Sequence, residues 1–137
     1  MSMIVSRPGD IPPGWYLGEC AVSGGTMEAY LREAMDFSGG KLCIRLRFFT
    51  AVFSLPCPSG VGKTPATEEA RQLIAAHRVH YSRVLLTNYL TYRKDEGLFC
   101  LLFDTEESLR RKYSLLNTMN IPRILVEDPK ILPLIQR

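Results

Sequence analysis

The order of predicted elements points to an α+β fold: a ferredoxin-like (βαββαβ) antiparallel sheet with its helices on one face, preceded by an N-terminal arm and helix. Three observations predict it. Residues 42–54 (LCIRLRFFTAVFS) form an apolar, β-branched and aromatic run that is followed by a helix start at Thr64-Pro65. Two further strand-like runs, residues 83–92 and 98–103, are separated only by the polar stretch RKDEG. A capping signal at Asp104 then opens a helix that Pro122 closes, ahead of a last apolar run over residues 121–126.

Residues 1–10 carry a short apolar run and then turn polar, and residues 11–20 (IPPGWYLGEC) hold the single Trp. Two prolines and two glycines there predict an extended or looped arm rather than a long strand. Thr26 caps a helix through Phe37, with Met27, Tyr30, Leu31 and Ala34 on one face and Gly39-Gly40 at its end.

In the first core strand, Leu42, Ile44, Leu46, Phe48 and Val52 share one face, and Cys43, Arg45, Arg47, Phe49 and Phe53 the other. Thr64 as N-cap and Pro65 at the first helical position start the next helix, whose stripe is Ala66, Ala70, Leu73, Ile74 and His77. The turn at residues 93–97 ends in Gly, as hairpin connections do. In the last helix Asp104 and Glu107 form a capping-box pattern. Glu106–Arg110 and Glu107–Arg111 are i,i+4 pairs worth about 0.3 kcal/mol each. The tail, residues 128–137, docks onto the core through Ile131, Leu132, Leu134 and Ile135. With residues 1–41 as arm and helix and 42–127 as core, the 137 residues read as a single domain.

Composition narrows the function classes. Hydrophobic residues at 46% and charged residues at 23% describe a globular chain, not a disordered one. No apolar run reaches membrane-spanning length, and the N-terminus lacks a signal-peptide pattern. None of the four cysteines forms a CxxC pair, which suits reduced thiols and a cytoplasmic protein. A net charge of +3 permits a polyanionic partner without requiring one.

Two places can carry binding. The loop SGVGKT resembles a Walker A motif, but Cys57 stands where its first Gly belongs, Pro65 follows the Thr and no magnesium carboxylate is evident. What survives is an anion-binding candidate at Ser59, Gly60, Gly62, Lys63 and Thr64, where backbone N–H groups and a cation meet a helix start. The second place is the open sheet face. There Arg45, Arg47, Phe49 and Tyr89 alternate cations with rings, an arrangement that suits single-stranded nucleic acid. RNA-recognition domains use such a face, and EGLFCLLF is similar to part of their third-strand motif.

His77 and His80 lie at i,i+3 near a helix end without a third metal ligand in sequence, and no catalytic constellation can be assembled. No cofactor or metal is expected. The sequence therefore predicts a small non-catalytic binding module for nucleic acid. One alternative is a protein-interaction module, as homodimer or adaptor, on the same face. The other is a phosphate-ligand or acyl-phosphate enzyme at the Ser59–Thr64 loop.

Overall fold

In the computed structural model, which describes residues 2–22, 24–56 and 61–135, the strands sort into two four-stranded sheets of opposite kind. The first is parallel throughout. It joins β1 (Met3–Val5), β2 (Tyr16–Glu19), β3 (Leu42–Arg45) and β8 (Arg123–Leu125) in the order β1-β8-β3-β2. The second is antiparallel, with β4 (Thr50–Leu55), β5 (His80–Ser82), β6 (Thr87–Lys94) and β7 (Gly97–Phe103) in the order β4-β7-β6-β5. The antiparallel sheet is an insertion between β3 and α3 (Glu106–Thr118), the helix that returns the chain to β8.

Parallel neighbours need a crossover, and helices supply it on one face. The helix α1 (Met27–Phe37) joins β2 to β3, and α3 precedes β8. Leu31, Leu109 and Leu116 from these helices pack on Leu42, Ile44 and Ile124 of the sheet, all fully buried. Ile131 and, from the short α4 (Leu132–Ile135), Ile135 close this layer. On the opposite face Val5, Cys43 and Leu125 are buried beneath Ile11, Trp15 and Leu17. The connection from β1 to β2 thus crosses that face. It moves the chain across the sheet in the reverse direction to the helices and on the reverse side, so both crossovers share one hand, as parallel connections prefer.

The ferredoxin-like expectation is overturned by this division. The run at residues 42–54 is not one strand. Parallel pairing lasts until Leu46 N–H donates to Leu125 O at 2.9 Å. Beyond that point β8 has no residue to offer, and the chain leaves the sheet before re-entering the antiparallel one at Thr50. The apolar run at residues 121–126, expected to complete the antiparallel sheet, contributes β8 to the parallel one. The looped arm at residues 11–20 supplies β2, an edge strand of the same sheet.

Several local expectations hold. Thr26 Oγ1 accepts from Ala29 N–H at 3.0 Å and caps α1, which ends before Gly39 and Gly40, both at positive φ. The hairpin of β6 and β7 closes at Asp95 and Glu96, whose φ of 51° and 65° is the geometry of a type I′ turn. The expected cap of α3 moves by one residue: Thr105 is the N-cap and Ser108 completes the capping box. The helix α2 (Thr67–Ala76) starts after Ala66, not at Thr64-Pro65. Lys63 is held instead in an antiparallel bridge with Val52, by hydrogen bonds of 2.7 and 2.9 Å. Among the described residues no helix is long and apolar enough to cross a membrane.

Candidate functional site

Parallel strands present their carboxyl ends on one side, where the connections diverge and leave room for ligands. Here that side carries a charge network. Glu19 ends β2, Arg45 ends β3, and Glu127 lies two residues beyond β8. Arg45 Nη1 is 3.3 Å from Glu19 Oε2, and Arg45 Nε is 3.0 Å from Glu127 Oε1. Arg47 Nε donates to Glu19 Oε1 at 2.8 Å. The Arg45 Nε proton is buried and not aligned for a hydrogen bond, so its contact with Glu127 is one of charge alone.

Beneath the network lies a second, fully buried pair. Asp104, the residue after β7, accepts from Lys112 Nζ at 2.9 Å, Ser108 Oγ at 2.7 Å and Phe49 N–H at 3.0 Å. The side chains of Asp104 and Lys112 are both 0% exposed. Asp104 N–H donates back to Phe49 O at 2.9 Å, so the entry and exit of the insertion are joined at one point. Cys20 is buried nearby. Burial pushes its thiol up to about 12, with Lys112 opposing and Asp104 and Glu19 adding to the rise.

The insertion walls one side of the carboxyl end and creates a cleft of about 470 Å3. Arg47, Phe48, Phe49 and Thr50 line its floor, and Thr64, Thr67 and Arg71 its far wall. The floor comes from the segment that leaves β3. The wall comes from the start of α2, which packs through Leu73 and Ile74 on Leu90, Tyr92, Leu101 and Phe103. Phe48 is 39% exposed, a large ring presented to solvent beside guanidinium and hydroxyl groups.

Of the four residues expected to form one nucleic-acid face, the structure brings Arg47 and Phe49 to the cleft and leaves Arg45 and Tyr89 outside its lining. Arg45 and Arg47 belong to the parallel sheet's end, where carboxylates engage both. Phe49 and Tyr89 pack with Ala51, Phe53 and Leu102 on the antiparallel sheet. Of the anion-binding candidates, Ser59 and Gly60 lie outside the described residues. Gly62 sits against the Phe53 ring, Lys63 is committed through its backbone to Val52, and Thr64 reaches the cleft. His77 Nδ1 lies 2.9 Å from Leu73 O, while His80 stacks on Tyr89 at 5.3 Å between ring centroids. Among the described residues no group of three or more His, Cys, Asp or Glu is placed to hold a metal. Sequence reasoning missed Glu19, Glu127, Lys112 and the exposure of Phe48. The one signal for Glu19 was its place at the end of the short run YLGE, once that run is read as a strand.

No family model and no curated protein matches the chain. Solved structures do share its fold. The spore cortex-lytic enzyme SleL of Bacillus megaterium QM B1551 is similar at a TM-score of 0.61 and 15% identity, over 90% of this chain and 33% of that one. A chitinase from Chromobacterium violaceum is similar at 0.55 and 15% identity, over 85% of this chain and 41% of that one. A glycoside hydrolase family 18 N-acetylglucosaminidase from Paenibacillus barengoltzii is similar at 0.53 and 15% identity, over 77% of this chain and 37% of that one. The chain spans about a third to two fifths of their length. These likenesses, with the parallel sheet, replace the ferredoxin-like assignment by an α/β fold shared with these structures. They also overturn the reading of a non-catalytic nucleic-acid module, whose expected continuous strand over residues 42–54 is broken at 46–49. The acyl-phosphate alternative loses the helix start it needed at Thr64.

Proposed function

We propose that the chain is the glycan-binding part of a glycosyl hydrolase-like protein, and that its cleft takes an oligosaccharide of the N-acetylglucosamine type. The observation that carries this reading is the exposed Phe48 ring set among Arg47, Arg71, Thr64 and Thr67 at the carboxyl end of the parallel sheet. A sugar ring has an apolar C–H face that stacks on an aromatic ring and an equatorial belt of hydroxyls that needs hydrogen-bonding partners. The cleft offers both. Binding sites are typically concave and largely apolar, with a few placed polar groups. The chitinase and the N-acetylglucosaminidase among the similar structures support the same substrate class. The free thiols Cys20, Cys43 and Cys100 fit a cytoplasmic site of action.

Titration calorimetry with N-acetylglucosamine oligomers tests the proposal. Binding is expected, and Phe48→Ala is expected to weaken it by about tenfold, the loss of one aromatic stacking contact of about 1–1.5 kcal/mol. No heat with any oligomer, or an unchanged affinity in the variant, defeats it.

A second reading is hydrolysis by this chain itself. It is favoured by one observation: Glu19 and Glu127 flank Arg45 at the strand ends, and paired carboxylates are what glycoside cleavage uses. Against it, each carboxylate is engaged by a guanidinium group. Release of reducing sugar that is lost in Glu127→Gln would establish the second reading over the first.

A further inference from the structure

At the opposite end of the parallel sheet from the cleft, α1 presents Tyr30, Glu33, Ala34 and Phe37 at helical spacing towards Tyr16, the first residue of β2. These five residues enclose a pocket of about 330 Å3. Its floor is the buried Ala34. Two walls are the rings of Tyr16 and Phe37, whose centroids are 5.5 Å apart at an interplanar angle of 73°. Tyr30 forms a third aromatic side, and Glu33 sits on the rim. Phe37 is 78% exposed and Tyr16 41%, an unusual presentation for rings that also touch each other.

The charges around the pocket point one way. Among the described residues the side chains of Glu33 and Asp36 have no hydrogen-bond or ion-pair partner, whereas Glu28, one turn or more earlier in the same helix, is paired with Arg32 at 2.7 Å. Both unpaired carboxylates lie in the carboxyl-terminal half of α1, the negative end of the helix dipole, where cations are favoured and anions are not. No basic residue occupies the last turn. Lys41, whose carbonyl accepts from Tyr16 N–H at 2.9 Å, has no ion-pair partner among the described residues. The helix-end carbonyls of Ala34, Met35 and Asp36 are already capped by the N–H groups of Ser38, Gly40 and Gly39, so the uncompensated charge is that of the carboxylates. Aromatic faces carry negative quadrupole density, and rings set at steep angles around a small cavity bind cations whose charge is spread over methyl groups.

The geometry points to a recognition site for a small quaternary ammonium compound, seated among Tyr16, Tyr30 and Phe37 with Glu33 as its counter-charge. The site is independent of the glycan cleft and of any reading of it. Neutral sugars lack the charge that Glu33 and Asp36 leave unmet, and anions are repelled by it.

The test is an amide chemical-shift titration of the isotopically labelled chain with choline, with its neutral isostere 3,3-dimethyl-1-butanol, and with di-N-acetylchitobiose. Choline is expected to shift the amides around Tyr16 and Phe37, saturably, and to bind at least tenfold more tightly than the isostere. Phe37→Ala and Glu33→Gln are each expected to weaken choline at least threefold. Both side chains are exposed, and an otherwise unchanged amide spectrum confirms that the variants fold. Equal binding of choline and the isostere overturns the proposal in favour of a plain apolar pocket. Chitobiose shifting the same amides while choline does not overturns it in favour of a second sugar site. No shift with any of the three overturns it outright.

Discussion

Replacing Lys112 by Met isolates the buried pair under the strand ends. The substitution keeps most of the side-chain volume and removes the charge. The Asp104 carboxylate is then left with no counter-charge, at a position where its side chain is 0% exposed. Removing one member of a buried pair costs about 3–5 kcal/mol. Asp104 retains Phe49 N–H at 3.0 Å and Ser108 Oγ at 2.7 Å, two of its three donors, which places the expected loss near the lower end, about 3 kcal/mol. Domain stabilities run about 5–15 kcal/mol, so the urea midpoint should fall by a fifth or more. Asp104→Leu alone should cost at least as much, since it strands Lys112 and releases Phe49 N–H. The double variant should cost less than the sum of the singles by about 1–3 kcal/mol, the coupling of two charges in contact. Urea unfolding followed by circular dichroism measures all three. Hydrogen exchange at the Phe49 amide adds a local readout and should accelerate in any Asp104 variant. A Lys112→Met loss below about 1 kcal/mol, or strict additivity, would refute the assignment of this pair as the anchor of the insertion.

Three further outcomes follow from the described geometry. The Cys20 thiol ordinarily titrates near 9.0 and is pushed up to about 12 in the fold, so the unfolded chain loses this proton first; stability is whole below pH 9 and should fall by up to about 1.4 kcal/mol per pH unit above it. Cys20→Ala should flatten that fall in urea midpoints taken between pH 8 and 10.5, and an unchanged slope would count against it. Changing Asp95-Glu96 to Asn-Gly suits the positive φ of both positions and should raise stability by about 0.5–1 kcal/mol, read from thermal melting. Gly62→Ala places a methyl 2.8 Å from the Phe53 ring and should cost about 1–3 kcal/mol, visible as a lowered melting point with no change in the α1 amides.

What could be read from the chain divides along physical lines. Elements governed by local chemistry were legible: the Thr26 cap, the glycines after Phe37, the hairpin at Asp95-Glu96 and the ion pairs Glu106–Arg110 and Glu107–Arg111, found at 4.0 and 3.2 Å. Elements governed by partner availability were not. Nothing in LCIRLRFFTAVFS marks where β3 ends, because the end is set by the length of β8, some eighty residues later. Likewise, MIV and YLGE are too short to announce strands and become so only by pairing with β8 and β3. The site suffered from the same cause. Alternation along one strand places Arg45, Arg47 and Phe49 on one face, but the strand ends at Arg45, and Arg47 and Phe49 lie in the segment that joins β3 to β4 and lines the cleft. The sequence pattern makes Asp104 the helix cap. Thr105 takes that role, which frees the carboxylate for Lys112, and no local pattern distinguishes the two neighbours.

The meeting of Phe49 and Asp104 has an evolutionary side. A segment that leaves and rejoins its host at a single mutual hydrogen-bonded pair can be lengthened, shortened or exchanged without shifting the register of β3 or β8. Cleft shape can then diverge among descendants while the parallel scaffold stays put. The exchange is not wholly free. Leu86 from the insertion packs into the scaffold's core, and Val84 O accepts the first amide of α1 at 2.7 Å. Any replacement segment must refill that apolar niche and supply a carbonyl there, so loops that swap successfully should share those two features and little else.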